Sequence, residues 1–201
     1  MRHSKEMSKE TPEEIPMNAF VEAKAELRRR MSAARDALPL ASRMAAAEAV
    51  AGKIALPSFR RLLPEAGGIV AGYMPIRSEL DPRPLMLALA SEGFRLALPR
   101  TQAQGLVFHA YQPGDALEQG PFGTLHPFED QPVVSPATIL TPLLAFDIRG
   151  TRLGYGKGYY DRAFAGLPNA RRIGLGYTMQ QVVTVPSGPH DAELDAVFTE
   201  T

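Results

Sequence analysis

Residues 139–164 read Ile-Leu-Thr-Pro-Leu-Leu-Ala-Phe-Asp-Ile-Arg-Gly-Thr-Arg-Leu-Gly-Tyr-Gly-Lys-Gly-Tyr-Tyr-Asp-Arg-Ala-Phe. An apolar run, Ile139 to Phe146, has the character of a buried strand. Alternating glycines threaded with basic and aromatic side chains follow from Arg152 to Arg162. Glycine at 154, 156 and 158 lets the backbone take positive φ and approach a ligand closely, while Arg152, Lys157 and Arg162 supply positive charge. Tyr159 to Phe164 then suits a first helical turn, whose free N–H groups favour an anion. Strand, glycine loop and helix in this order describe an α/β unit that binds a polyanion, and phosphate is the expected guest.

The spacing excludes the two commonest phosphate loops. A Walker loop ends Gly-Lys-Ser/Thr, and here Gly158 follows Gly156-Lys157. A dinucleotide fingerprint needs an acidic residue about twenty positions beyond its glycines, yet none lies between Asp161 and Asp191. A merely flexible glycine-rich hairpin is the competing reading, and the Tyr159-Tyr160 pair with its flanking cations argues against it.

Working outward, 201 residues with 45% hydrophobic content and a formal net charge of zero fit one domain with small-molecule partners. Neither a nucleic-acid-coating surface nor a membrane span is expected, and a monomer in the cytoplasm is. The absence of cysteine removes disulfides, thiol nucleophiles and cysteine metal sites, so a metal would be held by oxygen or imidazole. Residues Met1 to Pro16 mix Lys5 and Lys9 with Glu6, Glu10, Glu13 and Glu14 and lack the apolar core of a secretory signal. A disordered tail over 1–17 and a single α/β domain over 18–201 are expected.

Asn18 can cap a helix running to about Leu38, with Phe20, Ala23, Leu27 and Met31 at helical spacing and Pro39 as its stop. Lys24, Arg28 and Arg35 share another face and read locally as solvated cations. Ser42 is expected to start an alanine-rich helix ending before Pro57. Gly68 to Met74 reads as a buried strand, and Asp81-Pro82 as the start of a helix that ends near Gly93. The loop between carries Arg77, Ser78 and Glu79 at the strand's carboxyl end, where open α/β sheets place ligands. Phe94 to Leu98, Leu106 to Tyr111 and Ile173 to Tyr177 are further strands, while Pro113 to Pro136 reads as a long irregular connection. Pro142 inside Ile139 to Phe146 implies an edge strand, a bulge or a late start. The alternation predicts a mainly parallel sheet covered on both faces.

Asp147 is expected at the rim shared with the glycine loop, with Asp161 just past the loop and Asp191 near the end of the chain. Carboxylates beside a polyphosphate can hold magnesium, which prefers oxygen. Ala145-Phe146-Asp147, Gly150 and the run Arg152 to Arg162, together with Lys24 to Arg28, Glu79, Pro99, Gly123, Gly174-Leu175, His190-Asp191 and Asp195, resemble the 5-formyltetrahydrofolate cyclo-ligase family over roughly residues 20–200. The resemblance implies a fold like the sugar-phosphate isomerase and CoA-transferase group. It also implies ATP- and Mg2+-dependent conversion of 5-formyltetrahydrofolate, possession of one or several glutamates aside, to 5,10-methenyltetrahydrofolate with release of ADP and phosphate.

By the same resemblance, Lys24, Arg28 and Arg152, Leu153, Gly154, Tyr155, Gly156, Lys157, Gly158, Tyr159 and Tyr160 bind the nucleotide. Lys157, Arg152 and Tyr159 are the expected catalytic groups, Lys157 neutralising the transferred charge. Asp161 and Asp191 hold the metal, and Met74, Glu79, Tyr155 and Tyr159 meet the folate, with Asp147 supporting the loop. The chain departs from the family at Gly123-Thr124-Leu125-His126-Pro127, where His126 replaces an acid and reads as a surface loop residue or else a substrate contact. His190 reads as a structural neighbour of Asp191. A non-catalytic folate- or nucleotide-binding paralogue, and an enzyme acting on another formyl or amide compound, are the competing functions.

Overall fold

The computed structural model describes residues 17–189 and 191–201; the expected tail, apart from Met17, and His190 lie outside them. Helix α1 covers Met17–Asp36, so Asn18 falls inside it rather than capping it. Pro39 does separate the first two helices, and α2 (Leu40–Gly52) starts directly after it, two residues before Ser42. A helix's first residues have no intrahelical acceptor for their N–H groups, so a proline there costs no bond. The same holds for α3 (Pro57–Arg60). Strand β1 is only Ile69–Ala71; of the expected stretch, Gly68 still accepts the Arg95 N–H and Gly72 still donates to the Ala97 carbonyl, and no strand continues beyond them. Helix α4 spans Arg83–Ser91, with the Arg83 N–H donating to the Asp81 carboxylate at 3.0 Å.

Strands β2 (Arg95–Gln102) and β3 (Gly105–Tyr111) form an antiparallel hairpin closed by the pair Gln102 and Gly105. The connection after it is less irregular than its sequence suggests. It holds a short hairpin of β4 (Glu118–Gln119) and β5 (Leu125–His126), strands too short for a two-residue alternation to register. The run Ile139 to Phe146 is two strands. Strand β6 (Thr138–Pro142) lies in the middle of the sheet and ends on its proline, where the missing N–H interrupts no further ladder. The chain then turns out of the sheet, and β7 (Ala145–Phe146) pairs antiparallel with β8 (Arg152–Leu153). Helix α5 (Tyr159–Gly166) and strands β9 (Arg171–Leu175) and β10 (Ala196–Phe198) complete the chain. Strand β10, three half-buried residues, had no periodic signal to announce it.

The main sheet has the order β10-β9-β6-β1-β2-β3, parallel throughout except between β2 and β3. Because successive strand side chains point to opposite faces, Val70 and Ala71 enter different cores. Val70 joins Leu98, Leu140 and Ile173 beneath Val50, Phe59, Leu85 and Leu89 of α2, α3 and α4. Ala71 joins Ala97, Phe108 and Ile139 against Ala163 and Phe164 of α5. A fully buried Leu or Phe contributes about 2 kcal/mol, so packing on two faces, more than strand propensity, holds a three-residue β1 in place. Helix α1 lies apart, its Leu27 and Met31 packed on Leu144, Ala145, Leu153 and Val185.

This topology fixes where a site can form. After β1 the chain crosses one face through α4 to β2, and after β6 it crosses the other through α5 to β9. Strands β1 and β6 are parallel neighbours, so their connections diverge and leave a crevice beyond their carboxyl ends.

Candidate active site

A cavity of about 570 Å³ opens at that crevice, within the usual range for small-molecule sites. Lys24 and Arg28 of α1, Met74 and Glu79 of the β1–α4 loop, the whole stretch Arg152 to Arg162, and Asp191 all line it. Every residue expected to bind nucleotide, folate or metal therefore reaches one wall, including Lys24 and Asp191, which are 167 positions apart.

The glycine loop takes its shape from two of its three glycines. Gly156 (φ 90°) and Gly158 (φ 65°) adopt the left-handed region, whereas Gly154 is not among the positive-φ glycines. At Gly156 a Cβ would come within 3.1 Å of the Arg28 guanidinium, and that guanidinium donates to the Gly154 carbonyl at 2.9 Å. Arg28 thus binds the loop by standing where a side chain would be. Gly158 is the N-cap of α5, so the first turn of that helix, Tyr159 to Asp161, faces the cavity. Lys157 is exposed, its ammonium 5.6 Å from the Phe122 ring centroid. Tyr159 stands with its ring centroid 6.5 Å from that of Phe122.

Arg152, whose side chain is only 5% exposed, donates to Asp161 Oδ1 at 2.7 Å and to the Ala192 carbonyl. The Lys24 ammonium lies 2.5 Å from Asp191 Oδ2, which also accepts the Gly188 N–H at 2.7 Å. Burial would raise the Asp191 carboxyl, but Lys24, the Gly188 N–H and Arg152 outweigh it and hold it below the ordinary value. Each of the two expected metal ligands therefore hydrogen-bonds through one carboxylate oxygen. Among the described residues no group of three His, Cys, Asp or Glu could hold a metal by itself. The other carboxylate oxygen of each aspartate accepts none of these hydrogen bonds, and oxygen donors of this kind would suit a hard cation such as magnesium.

Glu79 is buried in the wall near the end of the β1–α4 loop. Loss of hydration pushes its carboxyl up to about 7, against the Ile76 N–H, which donates to it at 3.0 Å, and against Arg35, Tyr155 and Arg77. A buried carboxyl raised toward neutrality in a cleft makes Glu79 a candidate functional residue.

Three expectations are corrected. Asp147 does not line the cavity; it accepts the backbone N–H groups of Arg149, Thr151 and Val185 at 3.0–3.3 Å and pins the β7–β8 turn. Burial works against its ionisation, but the Arg149 side chain and the N–H groups of Val185 and Arg149 prevail and lower its carboxyl to about 2. His126 is neither on the surface nor on the wall. It is buried behind Leu125, with Nε2 4.0 Å from Glu118, and its burial and nearby Arg100 keep it below the ordinary histidine value. Arg35 is not a solvated cation: it is wholly buried. Its spacing of seven from Arg28 kept it on the Lys24 stripe, but its partners are distant in sequence. Phe122, Thr124 and Leu125 also line the cavity without having been expected to, since only tertiary packing brings the β4–β5 hairpin there.

The family described as 5-formyltetrahydrofolate cyclo-ligase matches residues 21–200. A 5-formyltetrahydrofolate cyclo-ligase of Mycolicibacterium smegmatis is 31% identical over 188 residues, 88% of this chain and 93% of that protein. One from Escherichia coli is 34% identical over 139 residues, covering 65% and 76%. The solved structure of Aquifex aeolicus 5,10-methenyltetrahydrofolate synthetase superposes with a TM-score of 0.73 at 29% identity, over 88% of this chain and 89% of that one. A 5,10-methenyltetrahydrofolate synthetase from Mycoplasma pneumoniae shares the fold, with a TM-score of 0.69 at 22% identity over 89% of this chain and 99% of that one.

Proposed function

This chain belongs to the 5-formyltetrahydrofolate cyclo-ligase family, and from that premise we propose that it converts 5-formyltetrahydrofolate to 5,10-methenyltetrahydrofolate, using ATP and releasing ADP and phosphate. The observation that carries the reading is the joining of two chemistries in one cavity: a cationic glycine loop suited to polyphosphate, and the buried carboxyl of Glu79.

A formamide carbonyl is a poor electrophile. Transfer of the terminal phosphoryl group of ATP to the formyl oxygen turns that oxygen into a leaving group and leaves an iminium-like carbon. The neighbouring folate nitrogen attacks this carbon, loses its proton, and the C–O bond breaks, so the formyl oxygen departs in phosphate. Phosphoryl transfer asks for positioning and charge neutralisation rather than a protein nucleophile, which suits a chain without cysteine. Lys157, exposed and resting across the Phe122 ring face, can follow the transferred charge. Arg28, the loop N–H groups and the start of α5 orient the phosphates. Arg152 acts chiefly by holding Asp161. Asp161 and Asp191 would hold magnesium, which supplies charge neutralisation at the phosphate oxygens when bound. Glu79 accepts hydrogen bonds from the pteridine, flanked by Met74, Tyr155 and Tyr159. No helix among the described residues is long and apolar enough to cross a membrane.

His126 lies off the cavity wall, so its departure from the family pattern gives no ground for a binding-only paralogue. Mixing the purified protein with 5-formyltetrahydrofolate and magnesium ATP tests the reading. A rise in near-ultraviolet absorbance from the methenyl product, absent without ATP, is the expected result. A flat trace with intact nucleotide binding would point to another substrate or to a non-catalytic role.

A further inference from the structure

Arg35 is 0% exposed, and burying a guanidinium costs several kcal/mol unless its donors are used. All three of its side-chain nitrogens are engaged. Nε donates to Ser78 Oγ at 3.0 Å, one terminal nitrogen to the Leu143 carbonyl at 3.5 Å, and the other to Tyr155 Oη at 2.5 Å. The charge also lies 5.8 Å from the Tyr155 ring centroid. Ser78 Oγ in turn donates to the Asp36 carboxylate, and Tyr177 Oη donates to the carbonyls of Ser78 and Glu79. One side chain from α1 thus ties together the β1–α4 loop, the exit of β6 and the glycine loop, and each of these segments contributes to the cavity wall.

We propose that Arg35 is a positioning residue for the folate end of the site, holding the Tyr155 phenol and the Ser78-Glu79 segment at the spacing that grips the pteridine. This rests on the cyclo-ligase reading above. Tyr155 stands between two glycines and is 38% exposed, so without the tether its ring would sample many orientations. A guanidinium fork can serve three acceptors in three directions, which an ammonium on a flexible stem cannot do with the same geometry. Arg35 also favours the ionised form of Glu79. The other groups facing that carboxyl are Arg77 of its own loop, Tyr155 of the glycine loop, Tyr73 after β1 and Tyr160 of α5.

The test compares wild type with Arg35→Gln, Arg35→Lys, Tyr155→Phe and Ser78→Ala. Kinetics are measured across pH, alongside a 13C NMR titration of the Glu79 carboxyl. A hydrogen bond to a charged group is worth enough to predict about a tenfold or larger rise in KM for 5-formyltetrahydrofolate in Arg35→Gln. The KM for ATP should change less than about twofold. The acidic limb of kcat/KM should move to higher pH in Arg35→Gln and return in Arg35→Lys, while the KM defect persists because the lysine lacks the fork. Adding Tyr155→Phe to Arg35→Gln should cost less than the sum of the two separate losses, since both remove the Arg35–Tyr155 contact. Equal rises in both KM values, strictly additive effects, or an unchanged folate KM in a folded Arg35→Gln protein would overturn the proposal. If the Arg35 variants do not fold, Tyr155→Phe and Ser78→Ala decide: a folate KM raised by each supports it and an unchanged KM overturns it. Were the wild type to show no turnover, the cyclo-ligase reading would fall by itself. The Glu79 titration would then judge Arg35, an upward shift in Arg35→Gln supporting its placement and no shift refuting it.

Discussion

Lys157 and Glu79 face the same cavity but stand differently to the fold, and their substitutions should separate accordingly. Lys157 is exposed, so Lys157→Ala should leave the melting temperature nearly unchanged while lowering kcat by about a thousandfold, the scale on which a lost cation slows phosphoryl transfer. Steady-state rates and a thermal melt on the same preparation check this, and a protein that fails to fold would speak against the catalytic role. Glu79 is buried, with its carboxyl raised from 4.5 to about 7. Because the folded value is the higher one, the protonated carboxyl favours the fold, and that contribution, complete below 4.5, is lost as pH rises through about 7. Glu79→Gln should therefore stabilise the protein at about pH 8 by up to about 3 kcal/mol relative to wild type, with little gain at about pH 4. Urea denaturation at the two pH values measures it. The same substitution should weaken formyl-folate binding far more than ATP binding, and equal losses would place Glu79 elsewhere.

Two elements carry the loop. The β7–β8 turn is closed on the Asp147 carboxylate, which accepts three backbone N–H groups and is lowered to about 2. Asp147→Ala leaves those donors without their acceptor and should cost about 2–4 kcal/mol in denaturant unfolding. With its folded value below the ordinary 3.8, Asp147 lends stability above 3.8 that is lost as pH falls through about 2. Asp147→Ala should therefore flatten the acid limb of the stability curve. The glycine loop is constrained differently: Gly156 combines φ 90° with an Arg28 guanidinium 3.1 Å from where a Cβ would stand. Gly156→Ala should weaken ATP binding about tenfold or more, read by calorimetry, because either the backbone or Arg28 must move.

At the scale of the molecule, the cavity is assembled from α1, the loops after β1 and β6, the β4–β5 hairpin and Asp191, so a ligand there should brace the whole fold. At about a hundred times its dissociation constant, magnesium ATP should add about 2.7 kcal/mol. For a chain of this size that is a rise of about 5–10 °C in melting temperature, measurable by scanning calorimetry. The sequence by itself determined the mainly parallel α/β class and the order strand, glycine loop and helix, because those signals are local: periodicity and glycine punctuation; Lys24, Arg28, Met74 and Asp191 were placed at the site by the resemblance to the cyclo-ligase family rather than by any local signal. It could not separate β6 from β7, because both are apolar and Pro142 marks a break without saying on which side pairing continues. Nor could it find β10 or the β4–β5 hairpin, whose two- and three-residue strands exist only because neighbours complete their hydrogen bonds. Tertiary structure alone decided that Asp147 closes a turn, that His126 lies behind the wall, and that Arg35 is buried against Tyr155, 120 positions away. The physical reason is that a side chain's charge and shape are written in the chain, whereas its burial and its partners are set by segments that meet only once the sheet has formed.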